Sequence, residues 1–86
     1  MRFVRTERFK KAYLALPPRD RERVKKALRL VADDPSHPSL MVKKVQGTAD
    51  IRESRASKAL RITFQREGDV VILRNCGPHD PTLKRP

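Results

Sequence analysis

Two arginines, a histidine and a lysine pair are the side chains in this sequence best suited to act on a charged substrate. Arg55 and Arg61 sit in extended runs on either side of Ser57-Lys58-Ala59, and His79-Asp80 follows Gly77-Pro78 just past the last extended run. Guanidinium groups hold phosphate oxygens through paired N–H donors, and an imidazole exchanges protons near neutral pH. A sheet that projects arginines and ends in a histidine can bind and process a phosphodiester.

Register decides whether the arginines cooperate. In an antiparallel hairpin, directly opposed residues point to the same face. A three-residue turn over Ser57-Lys58-Ala59 places Arg55 opposite Arg61, whereas a two-residue turn sends them to opposite faces. The three-residue turn is preferred, because the other parity puts an arginine among Leu60, Ile62 and Phe64, which alternate as a core face does. Two like charges facing each other destabilise a sheet unless an anion lies between them, and a phosphate would supply it. The plainer alternative is that Glu53 pairs one arginine and both are solvated.

Asp80 is placed to orient His79, although a loop histidine beside an aspartate is also a common surface pair. His37, between two prolines, reads as loop chemistry. Neither histidine has a partner at metal-ligand spacing, and Cys76 with His79 is too little for zinc. Lys43 and Lys44 alternate across a strand, so one of them shares the arginine face. Either can contact phosphate or simply protect an edge strand.

The elements that position these groups can be read from periodicity. Arg2-Phe3-Val4-Arg5 is a short alternating strand, after which Thr6 caps a helix carrying Phe9, Ala12, Tyr13 and Leu16 on one face. Pro17-Pro18 ends that helix, and Pro18 suits the first turn of the next. In the second helix Val24, Ala27, Leu28 and Val31 repeat the spacing, and Glu22 is placed to pair with Lys26. The outer face of this helix is basic and can track along a nucleic-acid backbone. Asp33 to Pro38 is a loop, and Met41 to Gly47 reads as a strand. The order is a strand, a helical hairpin, then about four strands. It predicts one α+β domain over residues 1–86, with a small antiparallel sheet of about four to five strands packed against the hairpin.

The 86 residues leave room for one modest core and one packed layer on the sheet. With 21 Lys and Arg against 10 Asp and Glu, the net charge of +11 points to RNA, DNA or an acidic protein segment. No apolar run is long enough to span a membrane, and the basic residues are dispersed rather than gathered beside a hydrophobic face. The N-terminus lacks a signal-peptide pattern, and a single cysteine forms no internal disulfide, so cytoplasm is the expected location.

These residues resemble the RelE/ParE superfamily of toxins from type II toxin–antitoxin modules. Phe9 to Pro17 resembles the opening helix and its proline, and Asp34-Pro35 to Gly47 resembles the loop and strand before the central hairpin. Asp50 to Arg55 followed by Leu60-Arg61-Ile62 resembles the family's Glu-x-Arg and aromatic-Arg-hydrophobic strands. Gly68-Asp69 through Gly77-Pro78-His79-Asp80 resembles the final hairpin and tail. The chain departs from the pattern in three places. Leu60 replaces the aromatic, no tyrosine follows the last strand, and Ile51 and Glu53 stand where some members carry lysines.

The resemblance implies a small sheet packed on two N-terminal helices. In the RelE-like branch it implies a metal-independent, ribosome-associated endoribonuclease that needs no cofactor. There a 2′-hydroxyl attacks the adjacent phosphate of messenger RNA, with 16S rRNA contacts expected. Carried over by position, Arg61 stabilises the phosphate and His79 moves protons. Arg55, Lys43 and Lys44 match auxiliary basic positions. A cognate antitoxin is the implied protein partner, in a toxin–antitoxin hetero-oligomer. His79 favours this branch. The alternatives are a ParE-like inhibitor of DNA gyrase and a non-toxic basic nucleic-acid-binding module.

Overall fold

The computed structural model describes residues 1–86. The elements run β1 (Arg2–Arg5), α1 (Glu7–Leu14), α2 (Pro18–Asp33), a 3-10 turn (Pro38–Leu40), β2 (Lys43–Lys44), β3 (Arg52–Arg55), β4 (Leu60–Glu67), β5 (Val70–Pro78) and α3 (His79–Lys84). The strands form one sheet in the order β1-β5-β4-β3-β2. The α+β class, the five strands and the N-terminal helical pair are as the sequence predicts. One pairing differs: β1 runs parallel to β5, with Arg2 beside Val70, so the sheet is mixed. Parallel neighbours need a long crossover, and the helical hairpin begins that crossover directly after β1.

Thr6 links the first two elements to the last strand. Its Oγ1 accepts from the Phe9 amide at 3.1 Å as the α1 cap and donates to the Leu73 carbonyl at 2.8 Å. Pro18 opens α2, where its missing N–H costs nothing. Phe9 of α1 and Val24, Ala27 and Val31 of α2 bury against Ile62, Phe64, Val71, Leu73 and Cys76 of the sheet. Each large apolar side chain removed from water contributes about 1.5–3 kcal/mol. Leu16 packs on this core from just beyond the end of α1. The predicted Glu22–Lys26 pair does not form; Glu22 takes Lys25, one residue nearer, at 3.2 Å.

A bulge shapes the second half of the sheet. Thr63 pairs with Asn75 and Phe64 with Leu73, leaving Arg74 without an opposite residue. Because side chains alternate along a strand, the extra residue lets Leu73 and Cys76 both face the core although they are three positions apart. The predicted strand over 41–47 contracts to Lys43–Lys44, since Met41 turns into the left-handed region at φ 47° and Gly47 at φ 85°.

The other face of the sheet also carries a layer. Helix α3 lies over β4 and β5 and buries Thr82. The segment after it is tied down by Thr63 Oγ1 to the Pro86 carbonyl at 3.0 Å and by Asn75 Nδ2 to the Arg85 carbonyl at 3.1 Å. Arg8 on α1 also donates to the Arg85 carbonyl. No helix is long and apolar enough to cross a membrane.

Candidate functional site

The β3–β4 hairpin has the predicted register: Arg55 pairs with Arg61, Ser54 with Ile62 and Glu53 with Thr63. Leu60, Ile62 and Phe64 are buried. The two arginines nevertheless do different things.

Arg61 is only 7% exposed. Its Nη1 donates to the carbonyls of Ser57, Lys58 and Leu60 at 3.0, 3.2 and 3.0 Å, which gathers the turn around the guanidinium. Its Nε lies 3.6 Å from Glu53 Oε1. A carboxylate of the chain therefore occupies the place an external anion would take, and Nη2 makes no hydrogen bond. Arg55 is half-buried, its Nε is enclosed, and that nitrogen has no hydrogen-bond partner. It lines a cleft against α2 rather than joining Arg61.

His79 reaches the same end of the sheet by a backbone contact. Its N–H donates to the Ala59 carbonyl at 2.9 Å, so the residue is fixed beside the turn that grips Arg61. The half-exposed ring meets Asp80 through Nδ1 and Oδ1 at 2.7 Å. That contact engages Nδ1 alone, and Nε2 makes no hydrogen bond. The hydrogen bond from His79, and then its charge, hold the Asp80 carboxyl below its ordinary value.

Lys43 pairs with Glu53 in the β2–β3 register and shares its face, whereas Lys44 pairs with Arg52. Both lysines are exposed, and with Glu53 and Leu83 they line a shallow hollow. The basic groups are thus divided among three places: Arg61 with His79 at the turn, Lys43 and Lys44 on the edge strand, and Arg55 against α2. His37 is loop chemistry, its Nδ1 accepting from the Ser39 amide at 3.1 Å. Helix α3 escaped sequence reasoning, being too short to show a period, whereas the pairing of Glu53 with one arginine, the plainer alternative, is the one that forms.

No protein-family model matches the chain, and no curated protein does. Solved structures do. YafQ from E. coli is 13% identical, with a TM-score of 0.79 over 94% of this chain and 97% of that one. The RelB–RelE antitoxin–toxin complex of Methanococcus jannaschii gives 22% identity and a TM-score of 0.71, covering 94% of this chain and 93% of the matched chain. The fold is that of the RelE/ParE toxins. The E. coli RelBE toxin–antitoxin complex gives 24% identity and a TM-score of 0.71, covering 92% and 96%. Two of these three structures with the RelE/ParE fold are complexes with an antitoxin.

Proposed function

We propose that this protein is the toxin of a type II toxin–antitoxin module, a cytoplasmic, metal-independent endoribonuclease that cuts messenger RNA on the ribosome. The observation that carries the proposal is the placement of His79. Its backbone is bonded to Ala59 in the turn whose other carbonyls hold Arg61. A histidine able to transfer protons and a guanidinium are thus anchored on one turn at the end of the sheet.

The chemistry follows from those two groups. The 2′-oxygen of one nucleotide attacks the adjacent phosphorus, and the bond to the 5′-oxygen of the next nucleotide breaks. The strand ends in a 2′,3′-cyclic phosphate and a 5′-hydroxyl. Negative charge grows on the non-bridging oxygens in the transition state, where the Nη2 edge of Arg61 can meet it electrostatically. The 2′-hydroxyl gives up a proton and the leaving 5′-oxygen gains one; Nε2 of His79, with its ring held by Asp80, makes one of these transfers and water makes the other. Lys43, Lys44 and Arg55 bind the backbone elsewhere, and the net charge of +11 favours approach to rRNA as well as mRNA. The same charge suits an acidic or amphipathic antitoxin that folds on its target, giving a hetero-oligomer.

The test is cleavage of messenger RNA with and without programmed ribosomes, using EDTA-treated protein while the ribosome samples keep their magnesium. Ribosome-dependent cuts that are lost in His79→Ala, and in Arg61→Ala where that variant is shown to be folded, support the proposal. No cleavage in either condition overturns it. The Glu53–Arg61 pair favours a second reading, inhibition of DNA gyrase without catalysis, because it already gives Arg61 an internal carboxylate. Blocked supercoiling with intact RNA would select that reading.

A further inference from the structure

Arg55 is half-buried, and its Nε is enclosed but unmet. Its Nε has neither solvent nor a hydrogen-bond partner, and no carboxylate pairs with its guanidinium. A buried donor in this condition is rare and calls for an acceptor from elsewhere. The side chain lines a cleft of about 390 Å³ between α2, the 3-10 turn and the start of the β3–β4 turn. Ala27, Leu30 and Leu40 give this cleft an apolar wall, and Arg23, Lys26 and Arg55 give it a basic rim.

The rim is only partly neutralised from within. Arg23 has Asp20 at 3.1 Å, but Glu22 has gone to Lys25, which leaves Lys26 exposed and without a carboxylate. The cleft lies at the lower end of the roughly 300–1,000 Å³ usual for small-ligand sites. An apolar wall with adjacent cations suits a nucleotide, its base against Leu30 and Leu40 and its phosphate at Arg55 and Lys26.

We infer that this cleft is a nucleotide subsite, separate from the Arg61–His79 pair, that holds a nucleotide flanking the scissile bond. Its place in a cutting reaction rests on the ribonuclease reading; its capacity to bind a nucleotide does not. Ser57 joins the two sites, because it lines the cleft while its carbonyl holds Arg61. An RNA strand passing over the β3–β4 turn can therefore engage both.

The experiment is an NMR titration of isotopically labelled protein with adenosine monophosphate, inorganic phosphate, a glutamate-rich peptide and an RNA oligomer carrying 2′-deoxy sugars, which binds without being cut. The Arg55 Nε–Hε and Ser57 amide signals are expected to shift with the monophosphate and the oligomer. In Lys26→Gln, an exposed change that leaves the core signals in place, oligomer affinity should fall about tenfold. The log–log salt dependence should lose about one unit of slope. Unmoved Arg55 signals would overturn the inference even if the protein cuts RNA. Equal affinity for phosphate and monophosphate would remove the base from the cleft, and a response to the peptide alone would make it a protein contact. Shifted signals in a protein that never cuts RNA would leave the subsite standing and remove the ribonuclease reading.

Discussion

Glu53 on β3 and Arg61 on β4 form a buried ion pair, 3.6 Å apart, with both side chains less than a tenth exposed. The arginine is thereby a structural clasp as well as a candidate for transition-state stabilisation. The turn carbonyls of Ser57 and Lys58 and the β4 carbonyl of Leu60 share its Nη1, so it also fixes the shape of the turn beside His79.

Removing one partner of such a pair strands the other's charge in a poorly solvated place. Arg61→Ala is expected to cost roughly 3–5 kcal/mol of stability. Glu53→Gln combined with Arg61→Ala should cost less than the sum of the two single changes. Urea denaturation of the four proteins in a double-mutant cycle checks this. Strict additivity would show that the two side chains do not interact.

His79→Ala separates chemistry from folding more cleanly, because its ring is half exposed and its one hydrogen-bond partner is the exposed Asp80. Cleavage should fall about 10²–10⁴-fold, while stability moves by no more than ~0.5 kcal/mol. Single-turnover rates alongside chemical denaturation give both numbers. Full-rate cleavage in the variant would remove His79 from the mechanism.

The His79–Asp80 contact makes a prediction about pH. The Asp80 carboxyl is lowered from an ordinary 3.8, first by the hydrogen bond from His79 and then by its charge. A depressed carboxylate contributes stability above its unfolded value and loses that contribution as the pH falls through its folded value. Carbon NMR of the Asp80 carboxyl should give a midpoint below 3.8, moving upward in His79→Ala. Identical midpoints in the two proteins would mean that the contact is absent in solution.

Burial pushes the Cys76 thiol up to about 12 from 9.0. The thiolate is the reactive form, so the folded protein should resist Ellman's reagent at pH 8 and react promptly once unfolded. The burial also disfavours the fold in alkali, because from pH 9.0 upward the unfolded chain releases a proton that the folded chain keeps. Rapid native labelling would contradict the placement of Cys76 in the core.

Gly77 has a φ of 149°, and a Cβ there would meet Thr82 Oγ1 at 3.0 Å. Gly77→Ala should cost roughly 1–3 kcal/mol, with part of that recovered by Thr82→Ala. Thermal or urea unfolding measures both. No recovery would assign the whole cost to the backbone rather than to the contact with α3.

The hairpin register was legible because one parity alone kept an arginine away from Leu60, Ile62 and Phe64. Thr6 and Pro18 were equally readable, each being a residue type whose local chemistry has one strong use at a helix start. The bulge was not. It shows in the sequence only as Leu73 and Cys76 falling out of alternation, which looks the same as an ordinary strand end. Met41 gave no signal of a left-handed conformation that its type seldom adopts. At the site, parity put Arg55 and Arg61 on the same rung, but backbone register does not say where a long flexible side chain goes. Glu53 drew one arginine inward, and the cleft beside α2 took the other.

The parallel pairing of β1 with β5 has a consequence for the chain during its own synthesis. At about 5–20 residues per second, roughly 3–14 s separate the making of Arg2 from that of Val70 beside it. Through that interval Phe9, Val24 and Val31 await Val71, Leu73 and Cys76, so the nascent helices carry an uncovered apolar face. Assembly is governed by the final strand, and a polypeptide released early would lack both its interior and His79. Whatever this protein does to its target, it can do only once β5 and His79 have both been made.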